Sequence, residues 1–155
     1  KDNKLHYIHN EIGYNFRLTN LQAALGVAQL EQLPLFLKKK KIIYNLYHRA
    51  INKIEGLTHK KVPQYASNNH WLNVIQINPK AYKATKVDLI EKLKESGIES
   101  RPIWHLNHLQ KPFLNNQSYK IEYALELLNT SLCIPSSPSL KNFEQEKVIN
   151  QLKNE

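Results

Sequence analysis

Glu11-Ile12-Gly13-Tyr14-Asn15-Phe16-Arg17-Leu18-Thr19-Asn20-Leu21-Gln22-Ala23-Ala24-Leu25-Gly26 reads as a loop that runs into a helix. Thr19 and Gln22 have the spacing of a capping box, in which each side chain satisfies the other's backbone N–H. Apolar residues then recur at Leu18, Leu21, Leu25 and Ala28, one face of a 3.6-residue period. Ahead of the cap stand a flexible Gly13, the Asn15 amide and the Arg17 guanidinium. Backbone donors at a helix start, joined by Asn and Arg, favour a phosphate or carboxylate. From chemistry alone, the simpler reading is a helix start whose Asn and Arg satisfy nearby backbone.

The helix predicted from Thr19 reaches about Leu33, where Pro34 must break it, kink it or start a new segment, because proline lacks the N–H that the ladder needs. A second helical stretch then continues to about Ile54 and stops before Gly56. Downstream the pattern alternates. Residues 57–63 suggest an edge strand and residues 64–69 a loop; Trp71 to Ile77 reads as a mostly buried strand. Thr85 and Asp88 open a helix that Gly97 closes, and Ile98 to Trp104 is a strand that Pro102 confines to an edge. Ile121, Ala124, Leu125 and Leu128 mark another helical face, Ser131 to Ile134 a short strand, and Asn142 the cap of a last helix. The fold class is therefore α+β, with helices flanking a small sheet.

Composition bounds the function. A chain of 155 residues, 41% of them hydrophobic, holds one domain with a moderate core. No stretch approaches the ~20 apolar residues of a membrane span, and no N-terminal run resembles a signal peptide. The single Cys133 excludes an internal disulfide framework, fits a reducing cytoplasmic setting, and sits in an apolar run as a core residue rather than a nucleophile. The chain has no Met and opens on Lys1 inside a motif region, so it is expected to be a piece of a longer protein.

The formal charge of +9 raises a rival reading, a non-catalytic basic module for nucleic acid or another polyanion. Its densest cationic run is Lys38-Lys39-Lys40-Lys41, but four consecutive lysines on a helix point in different directions and make no groove-facing stripe. A solvated helix is the better reading, and the excess charge would also steer an anionic substrate. Two histidine pairs, His6 with His9 and His105 with His108, lack the further ligands that a metal site needs.

The run E-I-G-Y-N-F-R-L-T-N-L-Q-A-A-L-G-x-x-Q-L resembles the signature that opens the C-terminal part of DegT-type nucleotide-sugar aminotransferases, pyridoxal-phosphate (PLP) enzymes of the aspartate-aminotransferase fold (fold type I). Arg101-Pro102-Ile103-Trp104-His105-Leu106-Asn107-His108-Leu109-Gln110 is similar to the R-P-x-W-x-x-x-H-x-Q segment of members acting on UDP-4-keto-6-deoxy-N-acetylhexosamines, the bacillosamine and legionaminic acid type. Ser67 to Leu72 and Cys133 to Ser137 fall where that subgroup has similar segments.

The resemblance implies that residues 1–55 are the motif loop and a long kinked helix joining an absent large domain, and residues 56–155 the small α+β domain. It implies PLP as cofactor, glutamate as amino donor and a nucleotide sugar as acceptor. The partner is a second copy in a homodimer with a shared active site; neither nucleic acid nor a membrane is implied. Asn15 would hold the PLP phosphate across the dimer interface, and Arg17 would hold anionic substrate. Arg101, Trp104 and His108 would line the nucleotide-sugar pocket. The simpler alternatives for Arg101 and Trp104 are a strand-end ion pair and a core aromatic. The lysine that carries the cofactor lies upstream of this motif in the family, so no catalytic residue is assigned here and the chain alone is expected to be inactive. The residues His105-Leu106-Asn107 depart from what relatives often carry, which leaves the exact sugar open.

Overall fold

The computed structural model describes residues 8, 10–14 and 18–153. Asn15 and Arg17, and the histidines at positions 6 and 9, lie outside the described residues.

Helix α1 spans Asn20–Ile51, 32 residues, and starts where the sequence places its cap. The Gln22 N–H donates to Thr19 Oγ1 at 3.3 Å, and the Thr19 N–H donates to Gln22 Oε1 at 2.7 Å. Pro34 lies inside this helix, so the expected break or restart does not occur. Removing one ladder bond costs on the order of 3 kcal/mol. The good helix formers on either side, Gln29 to Gln32 and Leu35 to Lys41, carry the helix across that gap. His48 and Arg49 occupy the last turn, where a cation suits the negative end of the dipole.

Only the C-terminal third of α1 is buried. Ile43, Tyr47 and Ile51, at i, i+4 and i+8, face the core, while Leu18, Leu21, Leu25 and Leu30 stay exposed. The described residues contain no helix long and apolar enough to cross a membrane.

Four short strands form one antiparallel sheet in the order β1 (Leu57–His59), β2 (Asn73–Ile77), β4 (Ser131–Ile134), β3 (Arg101–Pro102). The register pairs Leu57 with Ile77, Asn73 with Ile134 and Ile75 with Leu132. Strand β2 buries Asn73, Ile75 and Ile77 and leaves Val74 and Gln76 half-buried, a period of two where the sequence suggested a mostly buried run. Edge strand β3 is reduced to two residues. Pro102 offers the ladder no donor, so the strand expected from Ile98 to Trp104 ends there.

The remaining helices are α2 (Pro79–Tyr82), α3 (Lys86–Glu95), α4 (Ala124–Thr130) and α5 (Asn142–Leu152). Thr85 and Asp88 form the expected capping box of α3. At its other end the Gly97 N–H donates to Lys94 O at 2.9 Å and the Ile98 N–H to Leu93 O at 2.8 Å, a Schellman closure with buried Leu93 and Ile98. Asn142 does not cap α5 but begins it. Lys141 is the cap residue, and the Glu144 carboxylate reaches back to its N–H at 2.8 Å, so the acidic first turn overrides the Asn.

The core joins α1, α3 and α5 to the sheet through Tyr47, Ile51, Ile75, Ile77, Tyr82, Leu89, Leu93, Leu132 and Leu152. Two polar ties are buried within it: Tyr82 Oη donates to Leu152 O at 2.8 Å, and Gln145 Nε2 donates to Ile43 O at 2.7 Å. Cys133 is half-buried on β4 and burial raises its thiol pKa, which disfavours the thiolate and agrees with a packing role.

Gly56 holds the turn between α1 and β1 at φ +78°, and a Cβ there would lie 2.3 Å from Tyr82 N. Gly56→Ala should cost about 3 kcal/mol or more, because left-handed strain and a backbone clash coincide. Gly97→Ala, at φ +69° but in open space, should cost only about 1 kcal/mol. Urea denaturation of the two variants would check the contrast.

Candidate functional site

At the end of the sheet where β2 begins and β4 finishes, two indoles meet. Trp71 precedes β2, Trp104 follows β3, and their ring centroids lie 5.7 Å apart with the planes tilted by 32°. Trp71 is 64% and Trp104 50% exposed, so neither is the core aromatic that the simpler alternative offered for Trp104. An exposed tryptophan pair presents a flat, amphipathic surface of the kind that sugars and bases pack against.

The backbone beneath Trp71 is firmly held. Lys40, on α1, donates to Trp71 O at 2.7 Å, to Ser136 Oγ at 3.2 Å and to Ser136 O. Ser136 Oγ in turn donates to Trp71 O at 3.1 Å. Burial lowers the Lys40 pKa, and the carbonyls take the place of the water that its ammonium gives up. Asn69 Oδ1 accepts from the Trp71 N–H at 3.0 Å.

The other residues expected to line the pocket are dispersed. Arg101 is exposed on β3, and its Nε donates to Glu99 Oε1 at 2.9 Å, the strand-end ion pair of the simpler alternative. His108 sits in a 3₁₀ turn, Asn107–Leu109, and lines a shallow hollow of about 260 Å³ with Phe113, Asn116 and Gln117. Neither Arg101 nor Trp104 lines that hollow. Among the described residues no group of three or more His, Cys, Asp or Glu could hold a metal, His105 and His108 included.

A cluster that the sequence reading missed lies on the other side of Lys40. Tyr44 stacks on His70 with centroids 4.2 Å apart, and also meets His48 at 5.4 Å and His59 at 4.9 Å. Tyr44 and His48 on α1 and its C-cap residue Asn52 follow one another at i, i+4 and i+8, the local signal of this face. Asn52 grips the His59 backbone at both ends, accepting from its N–H at 2.8 Å and donating to its carbonyl at 3.1 Å. The His59 ring is buried and its Nδ1 has no hydrogen-bond partner. Its pKa falls to about 4, chiefly through burial and then through the His48 charge; the Asn73 amide pushes it up and His70 adds a further downward push. His70 is lowered as well, by burial and by Lys41. Beside this cluster opens a cleft of about 810 Å³ between α1 and residues 61–70.

A family model, the DegT/DnrJ/EryC1/StrS aminotransferase family, matches residues 1–153. The chain belongs to that family. Among its relatives, EpsN of Bacillus subtilis, provisionally named a pyridoxal phosphate-dependent aminotransferase, is 32% identical over 154 residues, covering 96% of this chain and 38% of EpsN. The GDP-perosamine synthase of Escherichia coli O157:H7 is 32% identical over 136 residues, covering 88% of this chain and 36% of that enzyme. A DegT/DnrJ/EryC1/StrS aminotransferase from Brucella abortus superposes with a TM-score of 0.77 at 21% identity, over 97% of this chain and 39% of that one. The chain thus spans about two fifths of the length of its relatives. Its α+β architecture is that of the fold-type I sugar aminotransferases.

His59 makes the stability of this chain pH-dependent. The unfolded residue titrates at its ordinary 6.5 and the folded one at about 4, so the stabilising contribution is complete above pH 6.5. As the pH falls from 6.5 to 4 the unfolded state binds the proton first and about 3 kcal/mol is lost. His59→Leu should remove that part of the slope. Parallel loss of melting temperature in both proteins over this window would show that His59 is not its source.

Proposed function

We propose that this chain is the C-terminal part of a cytoplasmic, PLP-dependent aminotransferase that moves an amino group from glutamate to a UDP-linked 4-keto-6-deoxy sugar for surface-glycan synthesis. The observation that carries the proposal is the family match, which runs through residues 1–153 of the 155. The names of relatives supply the direction. They include a GDP-perosamine synthase and, 34% identical over 88 residues, the UDP-4-amino-4,6-dideoxy-N-acetyl-β-L-altrosamine transaminase of Campylobacter jejuni.

PLP, when bound, supplies the electron sink through which an amino group passes from donor to keto acceptor. The donor set of the motif loop fits its phosphate in chemistry: Asn15 offers a short amide, and Arg17 a fork suited to a carboxylate or diphosphate. In our reading Asn15 holds the cofactor phosphate of the second copy in a homodimer, and Arg17 holds anionic substrate. Trp104, with Trp71 beside it, gives the sugar or base a face to pack on, and His108 bonds a hydroxyl or phosphate. Arg101, exposed on β3 beside Glu99, offers a guanidinium fork suited to the diphosphate.

Two outcomes test this. The chain alone, mixed with PLP, glutamate and a UDP-4-keto sugar, should form no amino sugar; robust turnover would overturn it. In the parent dimer, one subunit carrying Asn15→Ala is paired with one lacking its cofactor-bearing lysine. If sites are shared, one site takes both defects and the other neither, so about half the activity survives. Activity lost at both sites would place Asn15 at its own subunit's cofactor instead.

A further inference from the structure

Asn73 and Ile134 are the last pair in the register of β2 and β4 at the end where Trp71 stands. Continued by one step, that register sets Leu72 opposite Pro135, which has no N–H to donate, and by two steps Trp71 opposite Ser136. The two chain ends nevertheless stay together, because a side chain from α1 takes over where the ladder stops. The Lys40 ammonium donates to Trp71 O at 2.7 Å, to Ser136 Oγ at 3.2 Å and to Ser136 O. Two carbonyls cannot bond each other, and the ammonium between them supplies the donor that each needs. Its three protons meet three acceptors, and Ser136 Oγ closes the ring by donating to Trp71 O at 3.1 Å.

This arrangement fixes Trp71 by its backbone. Its N–H donates to Asn69 Oδ1 at 3.0 Å, and its carbonyl is held by Lys40 and Ser136. Both indoles are exposed, so burial does not set their direction. What orients the Trp71 ring is the backbone it projects from and the Trp104 ring 5.7 Å away. Lys40 is half-buried, and an ammonium gives up water only where such acceptors replace it. Lys39, next to it on the helix, is exposed.

We propose that Lys40 is a positioning residue for the indole pair: it sets the angle and spacing of Trp71 against Trp104, and through them the face on which the sugar acceptor packs. Its bearing on the acceptor rests on the proposed packing role of the pair; its hold on the pair does not. A tie that only fastened α1 to the sheet would lose stability when cut but leave the two rings as they are.

The chain has two tryptophans and both belong to this pair, so its indole signals report on nothing else. Two close, tilted indoles couple and give paired circular-dichroism bands of opposite sign, which Trp104→Phe should abolish. The 155-residue chain is read below the melting temperature of each variant. Lys40→Met should collapse the bands as Trp104→Phe does, whereas Lys39→Met, with the same loss of charge, should keep them. Lys40→Arg, which returns a cation with a fork of donors, should restore them. In the parent dimer, Lys40→Met should raise the acceptor's KM roughly tenfold, as Trp104→Ala does, and leave the amino donor's KM within about twofold. Four spectroscopic results would each overturn the proposal: no paired bands in the wild type, bands intact in Lys40→Met, equal collapse in Lys39→Met, or an arginine no better than methionine. So would an equal rise in both KM values, which makes Lys40 a structural tie. Failure of the packing face reads differently: Trp104→Ala then leaves the acceptor's KM unmoved, while the bands still collapse in Lys40→Met.

Discussion

Burial of the last third of α1 is the constraint on which the rest of the structure depends. Tyr47 and Ile51 are fully buried, and the Gln145 amide closes onto Ile43 O from α5, so this end of the helix is part of the core. Sheet and helices α3 and α5 assemble around it. The same anchorage sets where the helix presents its charges. Lys40 points to the sheet end and holds Trp71, while Lys38 and Lys41 turn to the cleft. A run of four lysines that looks uniform in sequence therefore presents its charges to two separate places, as the divergence of consecutive helical residues requires.

Local chemistry was legible in the sequence. The capping boxes at Thr19 and Thr85 and the Gly97 closure depend on residues within a few positions of one another, and they stand where the spacing put them. Strand lengths were less so. Whether Ile98 to Trp104 pairs along its length depends on the donors opposite, and Pro102 leaves only two residues in β3. At Pro34, where the sequence allowed a break, a kink or a restart, the helix neither breaks nor restarts, because a lone missing donor is outweighed by the ladder on either side of a 32-residue helix.

The site was legible only in part. Trp104 is on the surface with a second indole beside it, a pairing that depends on residues far apart in the chain and leaves no periodic trace. The Tyr44, His48, His59 and His70 cluster was invisible for the same cause, since three of its members come from different segments. Resemblance, rather than periodicity, pointed to the family, and it did so through motifs whose chemistry alone would have read as an ordinary helix start.

The unburied length of α1 has a mechanical consequence. From Asn20 to the first buried residue, Ile43, the helix rises about 1.5 Å per residue, which makes a rod roughly 35 Å long. A stiff rod anchored at one end carries its tip out of reach of its own foundation. Residues near the tip are therefore carried well away from the core that holds Tyr47 and Ile51, and the Lys40 bonds to Trp71 and Ser136 brace the rod where it meets the sheet end.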